Sequence, residues 1–198
     1  MVMGGAMMRK VGLVFVTLLL VTSFVMAGCA QPATPEEKLL PESAEVSLTL
    51  SSNAFVTGEN IPVTYTCDGQ NISPPLAWSQ GPAGTASFAL ILEDPDAPVK
   101  NFTHWVIYNL PPDGRSLAEA VTQDAELASG AIQGKNGLGR IGYTGPCPPK
   151  GSPHHYNFTL YALDKSLDLG AEATKDQVLQ AVKGHILAQA QLVGLYQR

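Results

Sequence analysis

The chain has 198 residues, of which 45% are hydrophobic and 15% charged, with a formal net charge of −5. Twelve Lys and Arg against seventeen Asp and Glu exclude a protein that grips nucleic acid or an anionic lipid surface through basic charge, since both depend on clustered cations.

At the start, Arg9-Lys10 precedes an apolar run from Val11 to Val25 and then Met26-Ala27-Gly28-Cys29. A basic start, about 7–15 apolar residues and a small-residue cleavage site describe an export signal. The run is shorter than the roughly 20 residues that a spanning helix needs. Ala27-Gly28-Cys29 is similar to a bacterial lipobox, cut ahead of a cysteine that carries lipid, although Met26 stands where leucine is usual. Ordinary cleavage near Ala27 is the alternative. The expectation is a signal at 1–28 and lipid on Cys29, so that the exported chain is membrane-anchored on the extracytoplasmic side and tethered without spanning. Losing residues 1–28 removes Arg9 and Lys10 and no acidic group, which moves the net charge from −5 to −7.

Residues 29–44 follow as a flexible tether, in which Gln31 to Ala44 holds three prolines and four charges with little apolar periodicity. The folded domain is expected at 45–198, long enough for one sufficient core. With Cys29 assigned to lipid, Cys67 and Cys147 remain. In an exported chain an even pair is read first as a disulfide, with two isolated thiols as the alternative.

Strands are predicted at Val46-Leu48-Leu50, at Ile61 to Cys67, at Ser87 to Leu92, at His104 to Leu110 and at Tyr156 to Leu163. Turn clusters at 68–71, 81–84 and 111–114 separate them. A weak helical signal covers Leu117 to Leu127. A stronger one covers Thr174 to Gln191, where Thr174 and Gln177 make a capping box and Val178, Val182, Ile186 and Leu187 form an apolar stripe. Leu192 to Tyr196 reads as a closing strand. The fold class is mostly β, a twisted sheet or sandwich with helices at its margin.

Chemistry concentrates between Asp94 and Tyr156. Asp94-Pro95-Asp96-Ala97-Pro98, His104-Trp105, and Gly145 to Tyr156 with Pro148, Pro149, His154 and His155 interleave titratable groups with prolines. Proline fixes φ and removes a donor, so these loops are stiff. Imidazoles and carboxylates on stiff loops point to a preformed polar pocket. Strand alternation puts His154 on the face of Tyr156 and Phe158 and turns His155 away. Taken singly, Asp-Pro is a common turn opener and His104 a satisfied core histidine. No metal site is expected, for there is no His-Glu-x-x-His and no cysteine pair. A serine elbow is missing too. Gly134 to Gly145 lacks the Gly-Lys-Ser/Thr ending of a phosphate loop and reads as a plain loop. His185 reads as helix surface or packing.

Several blocks resemble the phosphatidylethanolamine-binding protein family, also called the Raf kinase inhibitor protein family, in its bacterial and archaeal branch. They are Tyr65-Thr66-Cys67-Asp68-Gly69 through Ser73-Pro74-Pro75-Leu76-Ala77-Trp78, DPDAP at 94–98, HWVIYNLP at 104–111, GYTGPCPPKGSPHHY at 142–156, FTLYALD at 158–164 and KGHILA at 183–188. The resemblance implies two packed β-sheets with a few peripheral helices, one near the C-terminus. It also implies a small anion-accepting pocket lined by Asp94, Pro98, His104, Pro148, Pro149, His154 and Tyr156, with Asp96 in the same loop. His155 departs from eukaryotic relatives, which have arginine there.

The expected function is a non-catalytic binding module without a cofactor, taking a small anionic, phosphate- or phosphoethanolamine-like group, free or on a lipid or protein. One rival is a proteinaceous inhibitor or regulator of a hydrolase or kinase. Another is a hydrolase with His154 as base and Asp94 as orienter.

Overall fold

The computed structural model describes residues 47–99 and 101–198. The expected signal, Cys29, the tether and the first two residues of the expected domain lie outside the described residues. No described helix is long and apolar enough to cross a membrane.

Two antiparallel sheets form the domain. The smaller has the order β1 (Leu50–Ser51), β2 (Leu76–Trp78), β5 (Ser116–Leu117). The larger has the order β6 (Ile132–Gln133), β4 (Phe102–Leu110), β3 (Ser87–Asp94), β7 (His154–Leu163), β8 (Ile186–Tyr196). Leu50, Leu76, Trp78 and Leu117 of the first share one core with Phe88, Leu90, Leu92, Trp105, Ile107, Phe158 and Leu160 of the second. The opposite face of the larger sheet packs Ile91, Val106 and Tyr108 under Val178 and Val182 of helix α1 (Lys175–Ala181) and its flanks. Covered on both faces, β3 is buried at every position but Glu93, which is why its sequence is nearly continuous apolar. Each large side chain fully buried there contributes roughly 1.5–3 kcal/mol of transfer free energy.

The outer edge of β8 is sealed near its end by residues 58–61. Gly58 N–H donates to Val193 O at 2.9 Å, Ile61 N–H to Leu195 O at 2.7 Å, and Leu195 N–H to Glu59 O at 2.9 Å. Cys67 and Cys147 form a disulfide with Cα atoms 5.4 Å apart, across 80 residues of sequence.

Three expected elements differ. Ile61 to Cys67 is not a strand but a 3-10 turn over Val63–Tyr65, because Pro62 has no N–H for a ladder and its carbonyl accepts from Tyr65 N–H at 3.0 Å. Leu117 to Leu127 is not helical: Leu117 pairs with Leu76, and Ala120 and Val121 donate their N–H groups to Ser73 O and Oγ, both at 3.0 Å. The helix expected over Thr174 to Gln191 has its capping box but stops at Ala181. Gly184 takes φ +79°, the left-handed conformation that ends helices. Beyond it, Ile186 to Tyr196 runs as β8 against β7, so Val178 and Val182 are buried while Ile186 and Leu187 are exposed.

Candidate functional site

The site sits where β3, β4 and β7 meet the proline-rich loops. β4 pairs Trp105 with Leu92 and Thr103 with Glu93, so His104 is an extra residue without a partner on β3. Such a bulge re-aims a side chain. The freed His104 ring stacks edge-on against Phe102 at 4.8 Å and Tyr156 at 5.2 Å between centroids. It is pinned to Thr144 twice: its Nδ1–H donates to Thr144 O at 2.8 Å, and its backbone O accepts from Thr144 N–H at 2.9 Å. A carbonyl only accepts, so Nδ1 carries the proton and Nε2 of the neutral ring is an acceptor. Burial pushes the His104 pKa down against the opposing pull of Thr144 O and the Asp94 charge. Burial therefore holds this imidazole neutral near pH 7.

Asp94 closes β3 and is buried. Its Oδ2 accepts from His154 Nδ1 at 2.7 Å, and its Oδ1 accepts the Asp96 N–H at 2.9 Å, folding the Asp-Pro-Asp loop back on itself. The first contact fixes the His154 tautomer and leaves Nε2 as that ring's other polar atom. A parallel pair lies outside. Asp96 Oδ2 accepts the His155 N–H at 2.8 Å and its ring Nδ1 at 2.7 Å, and these bonds, the backbone one first, hold the Asp96 carboxyl below the usual carboxylate range. His154 is buried and His155 exposed.

A cavity of about 540 Å³ opens above these groups. Of the residues singled out in the sequence, Asp94, Pro98, His104, Pro148, Pro149 and His154 line it, as do Cys67 and Cys147 of the disulfide. Asp96 does not line it; its Oδ2 is engaged by His155. Tyr156 lies beneath, fully buried against His104, and its hydroxyl has no hydrogen-bond partner among the described residues. Burial, then the Asp94 charge and a contact with the Asp94 carboxylate that is looser than a hydrogen bond, push the phenol's pKa up, so it stays a neutral donor.

Sequence reasoning missed Asn71, Phe102, Leu138, Arg140 and Thr144, which also line the cavity. Leu138, Arg140 and Thr144 belong to the glycine-rich segment read as a plain loop. The signal was there in Asn136 and Arg140, a buried amide and a cation among glycines, but the composition hid it. Among the described residues no group of three or more His, Cys, Asp or Glu side chains is placed to hold a metal ion.

Comparison with known proteins agrees with this architecture. The family model described as phosphatidylethanolamine-binding protein matches residues 51–197. A protein of Methanothermobacter thermautotrophicus named UPF0098 protein is 52% identical over 151 residues, which is 76% of this chain and 99% of the relative. A Mycobacterium tuberculosis protein named "Putative lipoprotein LppC" is 41% identical over 166 residues, covering 83% of this chain and 80% of its own length. Among solved structures, a phosphatidylethanolamine-binding protein homologue of Chlamydia trachomatis superposes with a TM-score of 0.71 at 43% identity, over 77% of this chain and 98% of that one. Escherichia coli YbcL, described as a member of the mammalian family, gives 0.72 at 34%, over 77% and 99%. Fold, site blocks and relatives coincide over one continuous stretch: the chain belongs to the phosphatidylethanolamine-binding protein family.

Proposed function

We propose that this chain is an exported, lipid-anchored binding module whose pocket takes small anionic groups of the phosphate or phosphoethanolamine kind and performs no chemistry on them. The observation that carries the reading is the Tyr156 hydroxyl, buried without a partner beside two imidazoles whose Nδ1 atoms are already engaged. An oxyanion in the cavity supplies what that hydroxyl lacks. Both Nε2 atoms would meet it, as acceptors toward a proton on the ligand or as donors after taking up a proton. Proline walls and the double tie between His104 and Thr144 hold the groups in place before binding, which lowers the entropy cost. Anchoring is supported by the lipobox-like segment and by the name of the mycobacterial relative.

The test is an NMR titration with inorganic phosphate, following the ring protons of the four histidines at roughly pH 5.5 and 7.5, either side of the histidine range. Saturable shifts at His104 and His154, larger at the lower pH and small at His155 and His185, are expected. Tyr156→Phe should weaken binding and leave thermal stability nearly unchanged, since the hydroxyl makes only a loose contact with Asp94. No localised shift at either pH would sink the reading. Turnover of a phosphoester or ester panel, lost in His154→Ala, would replace it with a hydrolase.

A further inference from the structure

The residues at the pocket mouth narrow the ligand class, on the premise that the pocket takes an anion. The segment from 136 to 142 is wound around one buried side chain. Asn136 Oδ1 accepts the N–H groups of Leu138 at 3.0 Å and Arg140 at 3.2 Å, and its Nδ2 donates to Gly142 O at 3.0 Å. The Asn136 N–H donates to Arg140 O at 2.8 Å, and Gly139, at φ +73°, returns its N–H to Asn136 O at 2.9 Å. Gly137 N–H donates to Thr103 O at 2.7 Å, which ties the loop to β4 next to His104. A loop built this closely presents Leu138 and Arg140 at the cavity. Leu138 is 54% exposed and Val99, also lining the cavity, 75% exposed. Two large apolar side chains left in water at one mouth call for an apolar occupant.

The charges at the mouth point the same way. Among the described residues, Arg140 is the lone Lys or Arg lining the cavity, and it has no ion-pair partner. Among the described residues Asp94 is the lone carboxylate of the lining; it is buried, and one oxygen accepts from His154 and the other from the Asp96 N–H. A ligand's ammonium at the mouth thus meets a guanidinium, while the one lining carboxylate is buried and already paired with His154. A phosphoryl oxygen finds that guanidinium in a form suited to bidentate pairing. The volume, about 540 Å³, belongs to pockets for a small organic molecule rather than a bare ion. We infer that the pocket selects a phosphoryl group bearing an apolar substituent, with Arg140 reading the charge and Leu138 and Val99 the substituent, and discriminates against zwitterionic phosphoethanolamine.

Calorimetric titration of the full chain with inorganic phosphate, n-butyl phosphate and phosphoethanolamine tests this. n-Butyl phosphate should bind about ten-fold more tightly than phosphoethanolamine, from a few buried methylenes and the missing ammonium. Arg140→Gln should weaken phosphate and n-butyl phosphate alike, by about ten-fold, and Arg140→Lys by less. Leu138→Ser should erase the n-butyl advantage and leave phosphate affinity as it was. Vesicles of phosphatidic acid, set against phosphatidylcholine alone, distinguish the source: displacement of n-butyl phosphate by the former assigns a membrane lipid, and no displacement assigns a soluble phosphomonoester. Phosphoethanolamine binding as tightly as n-butyl phosphate overturns the selectivity. So does an Arg140→Gln protein that binds like wild type while His154→Gln does not, and in either case the anion pocket stands. A wild-type chain that binds none of the three probes takes down both.

Discussion

At the scale of single residues, His104 gives stability and binding opposite responses to acid. Its pKa in the folded chain lies below the ordinary 6.5, so between the two values the unfolded chain binds a proton that the folded one does not. Stability is thus full above about pH 6.5 and falls as the pH drops below it, by at most about 1.4 kcal/mol per pH unit for one group. Asp96 acts in a separate window: its carboxyl lies below the usual 3.8, so its contribution is present above that value and lost at more acidic pH. On the proposed function, an anion in the pocket would pair with the imidazolium and offset the cost of charging His104. The expected outcome is that urea-derived stability declines from pH 7 to 5.5, that His104→Asn flattens the decline, and that saturating phosphate flattens it in wild type. A decline unchanged in His104→Asn would assign it to another group.

Among elements, the loop that pins His104 tolerates very little. A Cβ on Gly145 would lie 2.8 Å from Asn71 Oδ1 and 2.9 Å from Thr66 Cα, on backbone that has nowhere to move. Gly145→Ala should displace Thr144, break the 2.7 Å bond from Gly145 N–H to Asn71 and cost about 1–3 kcal/mol, with phosphate affinity falling too. Gly139→Ala on the same segment meets no atom within 4 Å and carries only left-handed strain, about 1–2 kcal/mol. Equal losses of affinity in the two variants would disprove the local argument. The sequence made β3 and β4 plain because burial on both faces leaves them nearly continuous in apolar, aromatic and β-branched residues, and the alternation at the start of β7 sorted His154 from His155. It hid the first half of β8, since Val178, Val182 and Ile186 fall at helical spacing and only Gly184 marks the break, whereas Leu192 to Tyr196 was legible as the closing strand. It hid Arg140 as well, because the amide that organises residues 136–142 acts through three bonds that no periodicity records. The Ile61 to Cys67 segment has strand composition, but Pro62 and the pairing of Ile61 with Leu195 decide its course.

For the whole molecule, the Cys67–Cys147 bond joins the turn after Tyr65 to the proline wall of the pocket. Closing a loop of 80 residues stabilises the fold by about 4 kcal/mol in the chain-entropy view. Reduction should lower the melting temperature markedly. Phosphate affinity should fall much less, because Cys67 N–H to Pro146 O at 3.0 Å and Tyr143 Oη–H to Tyr65 O at 2.6 Å hold the same two segments together. Affinity that collapses on reduction while the chain stays folded would show that the bond itself shapes the wall. The seal that residues 58–61 place on the far end of β8 has a bearing on timing. A chain threaded N-terminus first exposes residues 58–61 long before their partners at 193–195 arrive, and the larger sheet lacks β8 until residues 186–196 follow. Pairings this distant in sequence form slowly. Until residues 193–195 emerge the larger sheet cannot be completed, which is the condition in which an export channel, as proposed for this protein, could still pass the chain.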